Sequence, residues 1–132
     1  MSEYSSVGIF GGVKFNISDI SASEQPSTLK TNLGKTFVEK DIPLRNTKDI
    51  VLQVSGIITG LSESPSVSKA TAIENDRASL IALDDGYKHT WTDGKHNNIQ
   101  MVIEPNSLIW EDKADRATGM PYKFSFTLKE WK

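Results

Sequence analysis

Cysteine is missing from the chain altogether, so disulfides, thiol nucleophiles and thiolate-held metals are excluded. Histidine is nearly missing too, with His89 and His96 alone. No apolar run approaches the roughly 20 residues that a membrane-spanning helix needs. The opening Met1-Ser2-Glu3-Tyr4 lacks the positive stretch and apolar core of a signal peptide. No basic run stands out, and 15 basic against 17 acidic side chains leave a formal charge of -2. That balance gives no global pull toward nucleic acid or an anionic membrane. A soluble protein outside the classical secretory route is the expectation. Asn16-Ile17-Ser18 then reads as a chance match to a glycosylation sequon.

What is present is the balance of an ordinary folded protein, 37 % hydrophobic and 24 % charged. The 132 residues fit one domain, residues 1–132, large enough to bury a core without metal or disulfide staples. Most of the patterning has a period of two. Val7, Ile9, Val13 and Phe15 share one parity, with Gly8, Gly11 and Gly12 between them, which predicts a strand with a glycine-permitted bend. Residues 16–35 are polar and without a clear period, and are expected to form a long loop or arm. Thr36 to Ile42 reads as a short strand stopped by Pro43. In the next strand Ile50, Leu52, Val54, Gly56 and Ile58 alternate with Val51, Gln53, Ser55, Ile57 and Thr59. The second of these faces is half apolar. The strand is therefore expected to be covered on both sides or to lie at a subunit contact.

Residues 60–69, with Gly, Pro and serines, predict a loop. The period then changes. Ile73, Leu80, Ile81 and Leu83, with Ala70 and Arg77 between, predict a helix from about Lys69 to Asp84, with Gly86 placed as its C-terminal cap. Strands return at Tyr87, His89 and Trp91, then a tight turn at Asp93-Gly94. Ile99, Met101 and Ile103 follow, then a turn at Glu104-Pro105-Asn106 and a strand over Ser107 to Asp112 with Leu108 and Trp110 on one face. Tyr122, Phe124, Phe126 and Leu128 alternate with Lys123, Ser125, Thr127 and Lys129 in the clearest strand of all. Trp131 breaks that parity and is expected to be exposed or covered by a partner. The pattern is mainly β with one helix. It predicts an antiparallel β-sandwich or partly closed barrel with the helix packed on one side.

Catalytic constellations are weak. His89 and His96 flank Asp93, but zinc needs three or four ligands with a supporting shell. Cross-strand packing for His89 and a solvated turn for His96 is the simpler reading. Asp84, Asp85, Glu104, Glu111, Asp112 and Asp115 would serve glycoside chemistry only if two of them faced each other across a gap, and surface acids beside turns explain them more simply. No Gly-x-Ser-x-Gly elbow occurs, and the glycines from Gly8 to Gly12 lack the Lys-Ser/Thr of a phosphate loop. Lys88, Lys95, Lys123 and Lys129 lie near aromatic residues but on the opposite parity, which favours core packing over a nucleic-acid platform. No catalytic, cofactor-binding or metal-binding residue is assigned, no cofactor is expected, and the chain is not expected to be an enzyme.

From Lys40 to Trp131 the order of segments resembles the ring-forming β-domain of tailed-phage tail proteins, such as distal tail, baseplate-hub and tail-tube proteins. The resemblance runs through Asp41-Ile42-Pro43-Leu44-Arg45-Asn46-Thr47-Lys48-Asp49 leading into the strand Ile50 to Thr59. It continues through a helix with Asp76-Arg77-Ala78-Ser79-Leu80-Ile81-Ala82-Leu83, then Gly86-Tyr87, Asp93-Gly94, Val102-Ile103 and the final Tyr122-Lys123-Phe124-Ser125-Phe126-Thr127-Leu128. It covers about two-thirds of the chain, and with 132 residues the second, carbohydrate-binding-like domain that distal tail proteins often carry is not expected here.

The resemblance implies a tail-tube-like fold of packed sheets and a flanking helix. It also implies a virion structural protein, assembled in the host cytoplasm into a homo-oligomeric, six-fold ring that meets other tail or baseplate proteins. DNA would pass through the channel without specific binding, and no membrane is involved. Strand edges would pair between ring neighbours, and long loops would lock one ring to the next. The candidate inter-subunit contacts are Val51, Gln53, Ser55, Ile57 and Trp131. The alternative is a monomeric β-sandwich module that binds carbohydrate or protein, using Trp91, Trp110 or Trp131 as stacking platforms.

Overall fold

The computed structural model describes residues 7–41, 47–61, 68–111 and 121–131. Among them the order is β1 (Val7–Phe10), β2 (Val13–Pro26), β3 (Thr28–Leu33), β4 (Thr36–Asp41), β5 (Lys48–Ile58), α1 (Lys69–Ala82), β6 (His89–Thr92), β7 (Ile99–Ile103), β8 (Ile109–Glu111) and β9 (Tyr122–Glu130). Seven strands form one antiparallel sheet in the order β5-β2-β1-β6-β7-β9-β8, and β5 also pairs with β9. That second pairing closes six strands into a barrel. β3 and β4 form a separate two-stranded ribbon. The fold is thus mainly β with a single helix, and of the two architectures expected it is the barrel.

Alternation builds the core. Every second residue of β5 and β9 points inward: Leu52, Val54 and Ile58 on one strand, Tyr122, Phe124, Phe126 and Leu128 on the other. Phe10, Phe15, Trp91 and Met101 join them from β1, β2, β6 and β7. The aromatic rings meet edge to face, with Phe15 and Phe124 4.9 Å apart and Phe10 and Phe126 5.8 Å apart, a geometry their quadrupoles favour. The barrel is filled with side chains and has no lumen of its own.

The helix packs beside the barrel. Ser68 caps its N-terminus, its hydroxyl accepting from the Thr71 amide. The buried stripe is Ala72, Ile73, Asp76 and Leu80. Ile81, expected in that stripe, is 45 % exposed. At about 100° per residue it stands well off the line through Ile73 and Leu80. Arg77 lays its guanidinium between two rings, 5.0 Å from Trp110 and 4.6 Å from Tyr122. Tyr122 in turn donates its hydroxyl to Glu74.

Four local expectations are corrected. The glycines after Phe10 make a hairpin turn between β1 and β2, not a bend within one strand: Gly11 and Gly12 both have positive φ. Residues 16–35 are not a loop. They hold most of the fourteen-residue β2, paired with β5 from Asn16 to Pro26, and all of β3. A bulge at Ser18 shifts the register and breaks the alternation that would have announced the strand. Gly86 does not cap α1, whose C-cap is Leu83. Its φ of 80° and an absent Cβ admit the backbone of Thr36, which a Cβ would meet at 2.5 Å. The segment after β6 is longer than a tight turn, running to Ile99. Asp93 organises it by accepting from the amides of Lys95 and His96 and from the Trp91 indole. Of the expected loop 60–69, residues 62–67 lie outside the described residues, and Lys69 begins the helix.

Candidate functional site

The outward residues of β5 and β9 lie side by side in four rows: Val51 with Lys129, Gln53 with Thr127, Ser55 with Ser125, and Ile57 with Lys123. The rows divide into two regions with different surroundings.

The Val51 end is covered. Val51 is 7 % exposed, and Val102, the outward β7 residue paired with Lys129, is fully buried. Neither belongs to the barrel interior. The Lys129 ammonium between them donates to Glu39 of the β3–β4 ribbon at 2.7 Å and reaches Glu104 at 3.4 Å, which places the ribbon across this row. Phe37 of the ribbon, 6 % exposed, meets Trp131 edge to face at 5.8 Å. At the strand entrance the Lys30 ammonium and Asp49 carboxylate stand 2.7 Å apart with side chains 1 % and 3 % exposed. Ser27 Oγ and the Thr28 amide also donate to Asp49. Asn32 Nδ2 donates to the Gly86 carbonyl at the ribbon tip.

These contacts set the charges. Burial pushes the Asp49 carboxyl up, but the bonds from Lys30, Ser27 and Thr28 overcome it and hold it below its ordinary value. Glu39 follows the same logic: burial raises it, and Lys129, Thr28 and Lys30 lower it further. Burial pushes Lys129 down, and Glu39 and Glu104 raise it above its ordinary value.

The Ile57 end is open. Ser55, Ile57, Lys123 and Ser125 floor a depression of about 500 Å³, walled by Ser18 of β2 and by Ile109 and Glu111 of β8. A second depression of about 330 Å³ adjoins it through Ser55, Ile109 and Ser125, and extends over Gln53 and Thr127 between Asp19 and Ser107. Together they make a trough along the sheet, with small polar side chains on its floor, Ile57 at one end and Ile109 on the wall where the two depressions join. Ile109 is 61 % exposed. β8 can border the trough because β7 pairs only with the C-terminal part of β9. At the handover Ser107 Oγ accepts from the Thr127 amide and donates to the Glu104 carbonyl at 2.7 Å.

Of the candidate contacts, Gln53, Ser55 and Ile57 lie in the open trough, whereas Val51 is buried beside Lys129 and Trp131 packs on Phe37 of the ribbon. The structure does not bring His89, Asp93 and His96 together as a ligand set. His89 Nε2 pairs with Asp85 at 3.0 Å and His96 Nδ1 with Asp93 at 3.1 Å. Among the described residues no group of three His, Asp or Glu side chains is placed to hold a metal ion. Among them, too, no helix is long and apolar enough to cross a membrane. Asp84 is pushed up by burial and by Asp85 beside it. Glu111 stands on the trough wall, and Asp112 and Asp115 lie outside the described residues.

Lys30, Asp49 and Glu39 were missed by sequence reasoning. The Gly34-Lys35 pair between alternating runs was the available signal for their ribbon. No protein-family model matches the chain, and no curated protein matches it.

Proposed function

We propose that the chain is a structural subunit of a phage or phage-like tail or baseplate. It assembles with copies of itself into a ring, six-fold by its resemblance, around a channel for DNA, and links the tail tube to the tip. The observation that supports this reading most is the open trough. One half of a single sheet face is sealed by the chain itself. The other half stays exposed, beside an edge strand with an outward isoleucine, the kind of surface that folded proteins cover or use for pairing. Because the barrel is filled, the channel in this reading is the space at the centre of the ring.

The tryptophans favour assembly over a carbohydrate-binding module. Trp91 is fully buried, Trp110 lies against Arg77, and Trp131 packs on Phe37. All three already have partners within the chain. Native mass by light scattering across a concentration series tests the proposal. A discrete six-fold mass, or growth into tubes, is expected, and a monomer at every concentration argues against it.

A further inference from the structure

The β3–β4 ribbon is folded with its polarity reversed. Its barrel side carries Thr28, Lys30, Asn32 and Glu39, with Phe37 as the only large apolar group. Its outer side carries Leu29, Leu33 and Val38, which are 54 %, 63 % and 50 % exposed, each paired across the ribbon with a polar residue, Lys40, Thr36 and Thr31 respectively. A ribbon that served only to cover the barrel would bury its aliphatic side and leave its charges in water. Here a buried ion pair faces inward, and three large aliphatic side chains face out in a strip beside Lys40. The outer side is therefore the working one.

We propose that this strip seats in the trough of a second copy of the chain, making a head-to-tail contact. The proposal rests on the ring reading and names the surfaces that meet. Three features select a second copy as the occupant. Leu29 and Leu33 are four residues apart on one strand, as are Lys123 and Thr127 along the trough floor, so both run about 13 Å. The same face of β5 and β9 already meets this ribbon's inner side through Lys129 and Glu39, so a strand pair can lie along it. The charges also match: Lys40 stands opposite Leu29 on the strip's own face and Lys35 lies in the turn at its end, while the trough walls carry Asp19 and Glu111 against Lys123 of the floor. Strip and trough are different surfaces of one chain. Their contact is heterologous, the type that closes into rings or runs on into fibres.

The cysteine-free chain permits a clean test. Leu33→Cys and Ile109→Cys are made as separate single variants, both at exposed positions where melting should stay at the wild-type value. Equal amounts are mixed under mild oxidation, and the disulfides are mapped by mass spectrometry. The expected result is mixed Leu33→Cys/Ile109→Cys pairs in excess over a statistical mixture, with loss of the cross-link when Ile57→Asp is added to the Ile109→Cys chain. Predominant Leu33→Cys self-pairs would overturn the proposal in favour of strip against strip. Absence of any cross-link would overturn it in favour of a different partner for the strip. Native mass on the same samples separates the two readings. Mixed cross-links in open fibres would uphold this contact and sink the ring, and a closed ring without them would do the reverse.

Discussion

The two ends of the β5–β9 outer face share strands, register and alternation, yet one is sealed and the other open. Val51 and Val102 are buried as deeply as residues of the barrel interior, while Gln53 two positions along β5 is exposed. The difference comes from a second layer, the β3–β4 ribbon, which reaches only part of the face. Burial on a sheet is set by what lies over it as much as by the strand's own pattern. A half-apolar outer face can therefore be covered within the chain at one end and open at the other.

Removing one partner of the covering layer should have the largest effect. Asp49→Ala leaves the Lys30 ammonium buried without its counter-ion, and breaking such a pair costs about 3–5 kcal/mol. Urea unfolding should show a lower midpoint by that margin, and an unchanged midpoint would mean that the ribbon is not anchored there. A smaller change is expected with pH. Asp49 and Glu39 have lowered values, so the stability they contribute is present above the ordinary carboxylate value of roughly 4 and is lost as pH falls through their folded values. Lys129 is raised, so its contribution is present below roughly 10.4 and is lost as pH rises through its folded value. The ribbon amides from Leu29 to Val38 should hold their resonance positions through neutral pH and move in acid before the barrel amides do. The smallest effect belongs to the open end, where Gln53→Ala should stay within about 0.5 kcal/mol of wild type in the same unfolding experiment.

How much of this was legible follows from where each residue's partner lies. Tyr122, Phe124, Phe126 and Leu128 announce an inward face because their partners are the core, and a period of two is enough to find them. The helix was legible in extent, and Ile73 and Leu80 in its buried stripe were too, but the flanks of that stripe were not. Asp76 belongs in it and Ile81 does not, because the facing barrel wall decides which flank is covered. β2 was hidden by two things: its outward residues are mostly polar and exposed, and the bulge at Ser18 breaks the parity. The proposed assembly surface was half legible. The mixed face of β5 marked Gln53, Ser55 and Ile57 as candidates. Val51 carries the same signal, yet its cover is the ribbon. That arrangement depends on Lys30 meeting Asp49 and Glu39 meeting Lys129, pairings between residues 19 and 90 positions apart, which no local pattern encodes.

The central claim is that the open half of this face is where another copy sits. The most direct test is native mass of wild type beside Ser55→Arg, which fills the trough floor with a long charged side chain and leaves the interior untouched. The expected result is a discrete ring for wild type and a monomer of unchanged melting temperature for Ser55→Arg. A Ser55→Arg chain that assembles as wild type does, or a wild-type chain that stays monomeric at every concentration, would contradict it.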